Sequence, residues 1–134
     1  MADLSHAASF RDLEVYKKAK NVSRAVFEVS KGFPKEETYS MTDQIRRASR
    51  SIGAQIAEAW AKRRYERHFV SKLSDADAEQ METQHWISEA SDCCYLDSSS
   101  AEALLAELQQ IGRMLNSMMD KSALFCRPNS NSAQ

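Results

Sequence analysis

The sequence predicts an all-α protein, an antiparallel up-down-up-down four-helix bundle. Only three glycines and two prolines occur among the 134 residues, and Pro34 and Pro128 both lie outside the periodic segments. Apolar residues recur at steps of three and four along four long segments, the pattern of amphipathic helices. The segments that join them are short, and long helices of similar length with short connections pack antiparallel to one another.

Helix one is predicted from Phe10 to Lys31. Ser9 is a favourable N-cap, and Asp12 suits the positive end of the helix dipole. The Gly-Phe-Pro run at 32–34 predicts where the helix ends. The apolar stripe of this helix consists of Val15, Ala19, Val22, Val26 and Val29, followed by Phe33.

Helix two is predicted from Glu36 or Tyr39 to about Arg64, and helix three from about Tyr65 to Leu96. No glycine or proline separates them, so a short polar turn near 63–65 and one continuous helix are both compatible with the sequence. The stripe of helix two is Met41, Ile45, Ala48, Ile52, Ile56 and Ala59. The stripe of helix three is Phe69, Leu73, Ala76, Gln80, Thr83, Ile87, Ala90 and Cys94. Its polar members predict solvent exposure, a buried polar layer or a subunit interface.

Helix four is predicted from about Ala101 to Leu124. A serine turn at 98–100 precedes it, and Ser99 with Glu102 has the spacing of a capping box. The stripe of this helix is Leu104, Leu108, Ile111, Leu115 and Met118. For the domain organisation we expect a flexible N-terminus at 1–9, the bundle at 10–125 and a disordered polar tail at 126–134.

The cellular location is predicted from what the sequence lacks. No apolar run reaches the ~18 residues of a transmembrane helix, and Met1–Ser9 lack the basic start and apolar stretch of a secretory signal. The three cysteines are an odd number, and the adjacent Cys93 and Cys94 make a poor disulfide framework. We therefore expect a cytoplasmic protein that binds no membrane.

Charge is distributed unevenly along helices two and three. From Ser40 to Lys72 there are eight basic and three acidic residues, whereas Leu73 to Gln110 contain nine acidic residues and no lysine or arginine. The net charge of −1 hides this reversal. Such asymmetry separates a surface that attracts polyanions from one that repels them or binds a basic partner.

Seven basic residues of helix two and its C-terminal end are the candidate nucleic-acid-binding residues. Arginine suits phosphate because its planar guanidinium donates two parallel hydrogen bonds. Residues four apart share a helix face, and two arginine pairs have this spacing. Tyr65 or Trp60 could stack on a base, as in RNA recognition. The candidates are Arg46, Arg47, Arg50, Lys62, Arg63, Arg64 and Arg67.

The same charges have two explanations that need no nucleic acid. Helical spacing would allow Asp43 to pair with Arg46 or Arg47, and Glu58 with Lys62, which would leave a solvated face. Alternatively, acidic residues of helix three could pair with helix two of a neighbouring subunit and fix the register of an oligomer. Those acidic residues are Asp75, Asp77, Glu79 and Glu82.

Six apolar residues are candidates for a subunit interface, where large aromatics and methionine are common. They could equally widen a normal core face, since globular helices bury more than a strict heptad stripe. These residues are Trp60, Phe69, Trp86, Tyr95, Leu105 and Met119.

Catalytic and metal-binding arrangements find little support. Glu82 and His85 match the Glu-x-x-His element of di-iron bundles, but a second copy is missing. Adjacent cysteines lack the spacing of zinc ligands, and we expect Cys93 and Cys94 to be buried small residues or free thiols. His68 has no nucleophile or acid partner at a recognisable spacing. We therefore expect no enzyme activity, no metal and no cofactor.

Four segments together resemble a known family. The segments 10–16, 33–34, 44–52 (Gln-Ile-Arg-Arg-Ala-Ser-Arg-Ser-Ile) and 55–59 are similar to signatures of small bacterial four-helix-bundle proteins encoded within ribosomal-RNA intervening sequences. That family includes accessory variability proteins of diversity-generating retroelements. The resemblance implies a homopentameric ring and, for the retroelement branch, binding of RNA and a reverse transcriptase.

The chain departs from this family pattern at four positions. Gln55 replaces an asparagine, and Ala59 replaces a glycine. In helix three, Ala78 and Glu79 replace a Gly-Ser pair, which alters close helix packing and adds negative charge.

Taken together, the sequence predicts a non-enzymatic homo-oligomeric bundle that binds structured RNA or DNA electrostatically, with an affinity that falls steeply with salt. The alternative is a protein-interaction scaffold, for example for a polymerase or reverse transcriptase, with the charges at subunit or partner interfaces.

Overall fold

The computed structural model describes residues 7–126 and forms a bundle of four long helices. These are α1 (Glu14–Ser30), α2 (Asp43–Ala61), α3 (Glu66–Asp92) and α4 (Ser98–Asp120). Each helix packs against the next, and α1 closes the ring against α4. Short connections make successive helices antiparallel, so the predicted fold class is confirmed. Most of the predicted flexible N-terminus and all but the first residue of the predicted tail lie outside the described residues.

The start of α1 differs from its prediction. Phe10–Asp12 form a 3₁₀ turn, and Leu13 then adopts an extended backbone before α1 begins at Glu14. Ser9 does cap, but it caps this turn: its Oγ accepts from the Arg11 N–H at 3.1 Å, and the Asp12 carboxylate accepts from the Ser9 N–H at 3.0 Å. The buried Leu13 side chain separates the capped turn from the helix.

The approach to α2 consists of two different helical turns. A 3₁₀ turn at Lys35–Glu37 leads into a π-helical turn at Thr38–Thr42, and α2 proper begins at Asp43. The Tyr95 hydroxyl, at the far end of α3, donates to Glu37 Oε2 at 2.9 Å. This hydrogen bond, with burial and nearby negative charge, raises the pKa of Tyr95 to about 12. The bond to the Glu37 carboxylate therefore holds the approach to α2 in place at neutral pH.

A short polar turn separates α2 from α3, so the two are not one continuous helix. The turn runs from Lys62 to Tyr65, and the Tyr65 N–H donates to the Lys62 carbonyl at 2.9 Å.

Helix α3 ends four residues before the predicted Leu96. Cys94 has a left-handed backbone with φ of 62°. The Tyr95 N–H donates to the Ala90 carbonyl at 2.9 Å, and the Cys94 N–H donates to the Ser91 carbonyl at 3.0 Å. These two hydrogen bonds form a Schellman motif, in which glycine usually occupies the left-handed position. Because a cysteine takes that place, the sequence carries no glycine to mark the helix end.

The capping box predicted for α4 is wrong. Asp97 is the N-cap, and its carboxylate accepts from the Ser100 N–H at 2.8 Å. The helix consequently starts at Ser98, three residues before its predicted start. At the other end, Ser122–Leu124 form a separate 3₁₀ turn.

The bundle core contains nearly all of the predicted stripe residues. Gln80 and Thr83 are buried as well, with Gln80 2% exposed, so the polar part of α3 forms a buried layer. The Gln80 amide donates to Asp77 Oδ1 at 2.8 Å and accepts from the Gln84 amide at 2.7 Å. Two stripe residues differ: Cys94 is exposed and Val29 is half-buried.

Of the six apolar interface candidates, Phe69 belongs to the core, and the other five pack against it. Phe69 is buried and stacks on Phe125 with ring centroids 5.7 Å apart. The other five are half-buried. Within one chain these residues widen the core face.

Candidate nucleic-acid interface

The seven candidate basic residues form two groups. Arg46, Arg47 and Arg50 lie in the first half of α2, and we call them the N-terminal arginine group. Lys62, Arg63, Arg64 and Arg67 lie at the α2–α3 turn and the start of α3, and we call them the turn group. Arg50 and Lys62 are about 18 Å apart along the helix axis at 1.5 Å per residue. The sequence suggested one patch, whereas the fold gives two.

Phe27 of α1 holds two arginines of the N-terminal group. The Arg46 guanidinium carbon lies 4.6 Å from the centroid of the Phe27 ring, and that of Arg50 lies 5.5 Å from the same centroid. Arg46 also donates from Nε to Ser30 Oγ at 2.7 Å. Cation–π attraction thus orders both side chains. Phe27 and Ser30 were not among the predicted site residues, because their role depends on how α1 packs against α2.

Arg47 lines the same face of α2 as Arg46 and Arg50 and is also the member of the group that approaches the acidic residues of α3. Its Nη2 donates to Gln44 Oε1 at 2.6 Å. Arg47 lines a polar cavity of about 270 Å³ together with Glu79 and Glu82. Burial of Glu79 and the negative charge of Glu82 raise the pKa of Glu79, while the positive charge of Arg47 opposes that rise. Arg47 therefore interacts with acidic α3 within one chain without forming an ion pair.

The ion pairs predicted along α2 do not form. Among residues 7–126, no carboxylate lies within 4.0 Å of the guanidinium of Arg46, Arg47 or Arg50, so Asp43 neutralises none of them. Glu58 pairs with Lys72 of α3 at 2.9 Å instead of with Lys62. That contact raises the pKa of Lys72.

The N-terminal arginine group lines an open groove of about 790 Å³ on α2, which we call the arginine groove. Its lining residues are Tyr39, Asp43, Gln44, Arg46, Arg47, Arg50, Ser51 and Ala54. Three guanidinium groups therefore share the groove with one carboxylate, that of Asp43. Tyr39 is 82% exposed.

The turn group has a different character. The Arg63 guanidinium carbon lies 3.5 Å from the Trp60 ring centroid, and its Nε donates to the Trp60 carbonyl at 2.9 Å. Trp60, predicted as a base-stacking residue, is therefore covered by an arginine of its own chain. Tyr65 is half exposed and lies beside His68, with ring centroids 5.4 Å apart. Lys62, Arg64 and Arg67 are exposed.

The residues considered as metal ligands make other contacts in the fold or are exposed to solvent. Glu82 accepts a hydrogen bond from Trp86 Nε1 at 3.1 Å, and His85 Nε2 lies 3.9 Å from Glu89 Oε1. Cys93 and Cys94 are exposed free thiols, which agrees with the second of the two alternatives expected for them. Across residues 7–126, no group of three or more His, Cys, Asp or Glu side chains could hold a metal ion.

The departures from the family pattern have visible structural effects. The Oε1 atom of Gln55 is buried without a hydrogen-bond partner among the described residues. Ala59 is fully buried, whereas Ala78 is exposed. Glu79 is half-buried and places its carboxylate near Arg47.

Comparison with known proteins agrees with this architecture. Five chains of solved structures match the protein. One is the crystal structure of a protein with unknown function from the S23 ribosomal protein family of Bacteroides thetaiotaomicron VPI-5482. It shares 26% identity and a TM-score of 0.71, and the alignment covers 78% of this chain and 97% of that chain. No curated protein matches the sequence. No helix of residues 7–126 is long and apolar enough to cross a membrane. The family model of the 23S rRNA-intervening sequence proteins matches residues 11–117, and the chain belongs to that family.

Proposed function

We propose that this protein is a non-enzymatic, self-associating cytoplasmic bundle that binds structured RNA or DNA through the arginine groove. One observation carries the proposal. Arg46, Arg47 and Arg50 line one open groove, and no carboxylate of residues 7–126 forms an ion pair with them. Guanidinium groups in this state retain their capacity for bidentate phosphate contacts.

The mechanism is electrostatic. Arginines that neutralise phosphates displace the counterions condensed on the nucleic acid. Because the release of those ions favours binding, the affinity falls as the salt concentration rises. The turn group provides a second contact region. A ligand that reaches both groups must extend over about 18 Å, which is at least roughly five base pairs of duplex at 3.4 Å per pair. A folded nucleic acid meets this length requirement, and a mononucleotide does not.

The triple substitution of Arg46, Arg47 and Arg50 by alanine is expected to weaken binding of a structured RNA at least tenfold at about 50 mM salt. It should also make the plot of log affinity against log salt less steep by about 2 to 3. Fluorescence anisotropy of a labelled hairpin RNA across a salt series measures both quantities.

The matched control removes three positive charges elsewhere. Lys17, Arg24 and Arg113 are exposed and do not line the arginine groove. Their triple alanine variant has the same net charge as the groove variant, so it should bind RNA much as the wild type does. Absence of RNA binding by the wild type at low salt would exclude the proposed function.

A protein scaffold is the second candidate, and one observation favours it. Met81 is 60% exposed on α3, between the acidic residues Glu79 and Glu82. An exposed methionine beside negative charge suits a basic protein partner such as a polymerase or reverse transcriptase. Under this alternative, Met81→Ala would weaken partner binding, and the arginine groove variant would leave RNA binding unaltered.

Self-association has separate support at the seam between α1 and α4. An apolar groove of about 440 Å³ opens there, lined largely by Leu13, Val15, Met114, Met118 and Phe125. Leu124 at its edge is 69% exposed. Most of these lining residues are already buried within one chain, so a second copy would remove apolar area from water chiefly at Leu124 and the half-buried Met114.

We expect light scattering at micromolar concentration to give about five times the chain mass of 15.2 kDa. A charged replacement at the edge of the apolar groove, Leu124→Glu, should lower that mass because it would bury a charge at the interface. A single-chain mass for the wild type would contradict self-association.

A further inference from the structure

We propose that the arginine groove binds an unpaired nucleotide, whose base stacks on Tyr39 while its flanking phosphates bind Arg47 and Arg50. This inference rests on the proposed nucleic-acid binding and adds the class of ligand. The preferred ligand would be a single-stranded segment or loop within a structured RNA or DNA, and not an uninterrupted duplex.

Tyr39 is an aromatic ring without a partner in its own chain. At 82% exposure it is the most exposed large hydrophobic residue of the described chain. Within residues 7–126 it makes no ring contact and no side-chain hydrogen bond. A single exposed apolar residue is common, but this one lines a groove that also holds three guanidinium groups.

The backbone that carries Tyr39 is fixed on both sides. The π-helical turn Thr38–Thr42 has Met41 and Thr42 buried, so Tyr39 faces outward from an anchored segment. On the N-terminal side, the hydrogen bond between Tyr95 and Glu37 holds the preceding turn. Single π turns inside helical segments occur frequently at functional sites. A ring on a fixed backbone has only two side-chain torsions to order on binding.

The cations beside Tyr39 are also ordered before any ligand arrives. Phe27 holds the guanidinium groups of Arg46 and Arg50, and Gln44 holds that of Arg47. Stacking on Phe27 occupies one face of a guanidinium and leaves its N–H edges able to donate. Side chains that are ordered in the free protein lose less entropy on binding.

The geometry favours an unpaired base over a paired one. Within a duplex both faces of each base are covered by neighbouring pairs, so a protein ring can stack only on a base that has left the helix. The other aromatic candidates fit less well, because Arg63 covers Trp60 and Tyr65 lies outside the groove.

The test compares two RNA probes with the same number of nucleotides. One is a hairpin with an unpaired loop, and the other is a fully paired blunt duplex. We expect the wild type to prefer the hairpin. Tyr39→Ala should weaken hairpin binding about tenfold, the loss typical of one base–aromatic stack, and leave duplex binding unchanged. Tyr39→Phe should bind the hairpin like the wild type, since the ring is kept, whereas Tyr39→Leu should behave like the alanine variant.

The controls separate this inference from the proposed function. Tyr65→Ala removes an exposed tyrosine outside the groove and should leave the preference for the hairpin intact. If Arg46, Arg47 and Arg50 are needed for RNA binding but Tyr39→Ala has no effect, the stacking inference is wrong and the proposed function stands. If neither probe binds the wild type at low salt, the proposed function itself is wrong. Rescue of hairpin binding by Tyr39→Leu would overturn stacking in favour of a general apolar contact.

Discussion

Replacing Phe69 with alanine is expected to lower the free energy of unfolding by about 3 to 5 kcal/mol, the range for deletion of a buried phenylalanine. Phe69 is 1% exposed and lies in the first turn of α3, where its ring stacks on that of Phe125. Truncation would leave a cavity at the point where the start of α3 meets the 3₁₀ turn that follows α4. Chemical denaturation followed by circular dichroism, at one fixed protein concentration, measures the loss.

Tyr65 provides the control for this prediction. It lies four residues before Phe69 but is half exposed and does not line the apolar groove, so Tyr65→Ala should lower the free energy of unfolding by no more than about 1 kcal/mol. Similar losses for both variants would show that burial in the bundle is not what makes Phe69 important.

The substitution Gly112→Leu is expected to lower the free energy of unfolding by about 2 to 4 kcal/mol. A Cβ atom at Gly112 would lie 2.7 Å from the buried Gln80 Nε2, closer than real Cβ contacts allow. The Gln80 amide would have to move, which breaks hydrogen bonds to Asp77 and Gln84 and leaves a buried polar group unsatisfied at about 1 to 3 kcal/mol. Overpacking of the α3–α4 seam adds about 1 to 3 kcal/mol, and the gain in helix propensity offsets about 1 kcal/mol.

Gly53 in α2 is the control glycine. A Cβ atom at Gly53 would lie 3.4 Å from the Tyr16 ring of α1, an ordinary van der Waals distance. Gly53→Ala should therefore stabilise the protein by about 0.5 to 1 kcal/mol through helix propensity, whereas Gly112→Ala should destabilise it. Thermal or chemical denaturation gives the sign of each change. A stabilising Gly112→Ala would show that the Gln80 layer tolerates displacement.

Much of the fold was predictable because the apolar periodicity is nearly continuous. The stripes of all four helices are buried as expected, apart from Cys94 and the half-buried Val29. The helix ends were less predictable, because they depend on residues that break the usual rules. Cys94 adopts a backbone conformation that glycine normally supplies, and Asp97 caps α4 ahead of the serines that have the better sequence pattern. Neither choice is visible from spacing alone.

The candidate site was predictable only along α2 itself. The spacing of Arg46 and Arg50 correctly places them on one helix face. The role of Phe27 depends on packing between helices, and the outward direction of Tyr39 depends on a π turn that no residue pattern signals. Glu58 likewise pairs across to Lys72, since α3 lies close enough to compete with the neighbouring turn of α2. The covering of Trp60 by Arg63 was open to inference, because residues three apart on a helix are neighbours.

Because α1 packs against α4, the first and last helices of the bundle are neighbours. Leu13 and Phe125 line the same groove, so the two ends of the described backbone lie at one end of the molecule. A short flexible linker between them, with new termini opened in the turn between α2 and α3, would leave all four helices intact. The order in which the helices are synthesised is therefore separable from the order in which they pack, and a circularly permuted chain would keep the arginine groove whole.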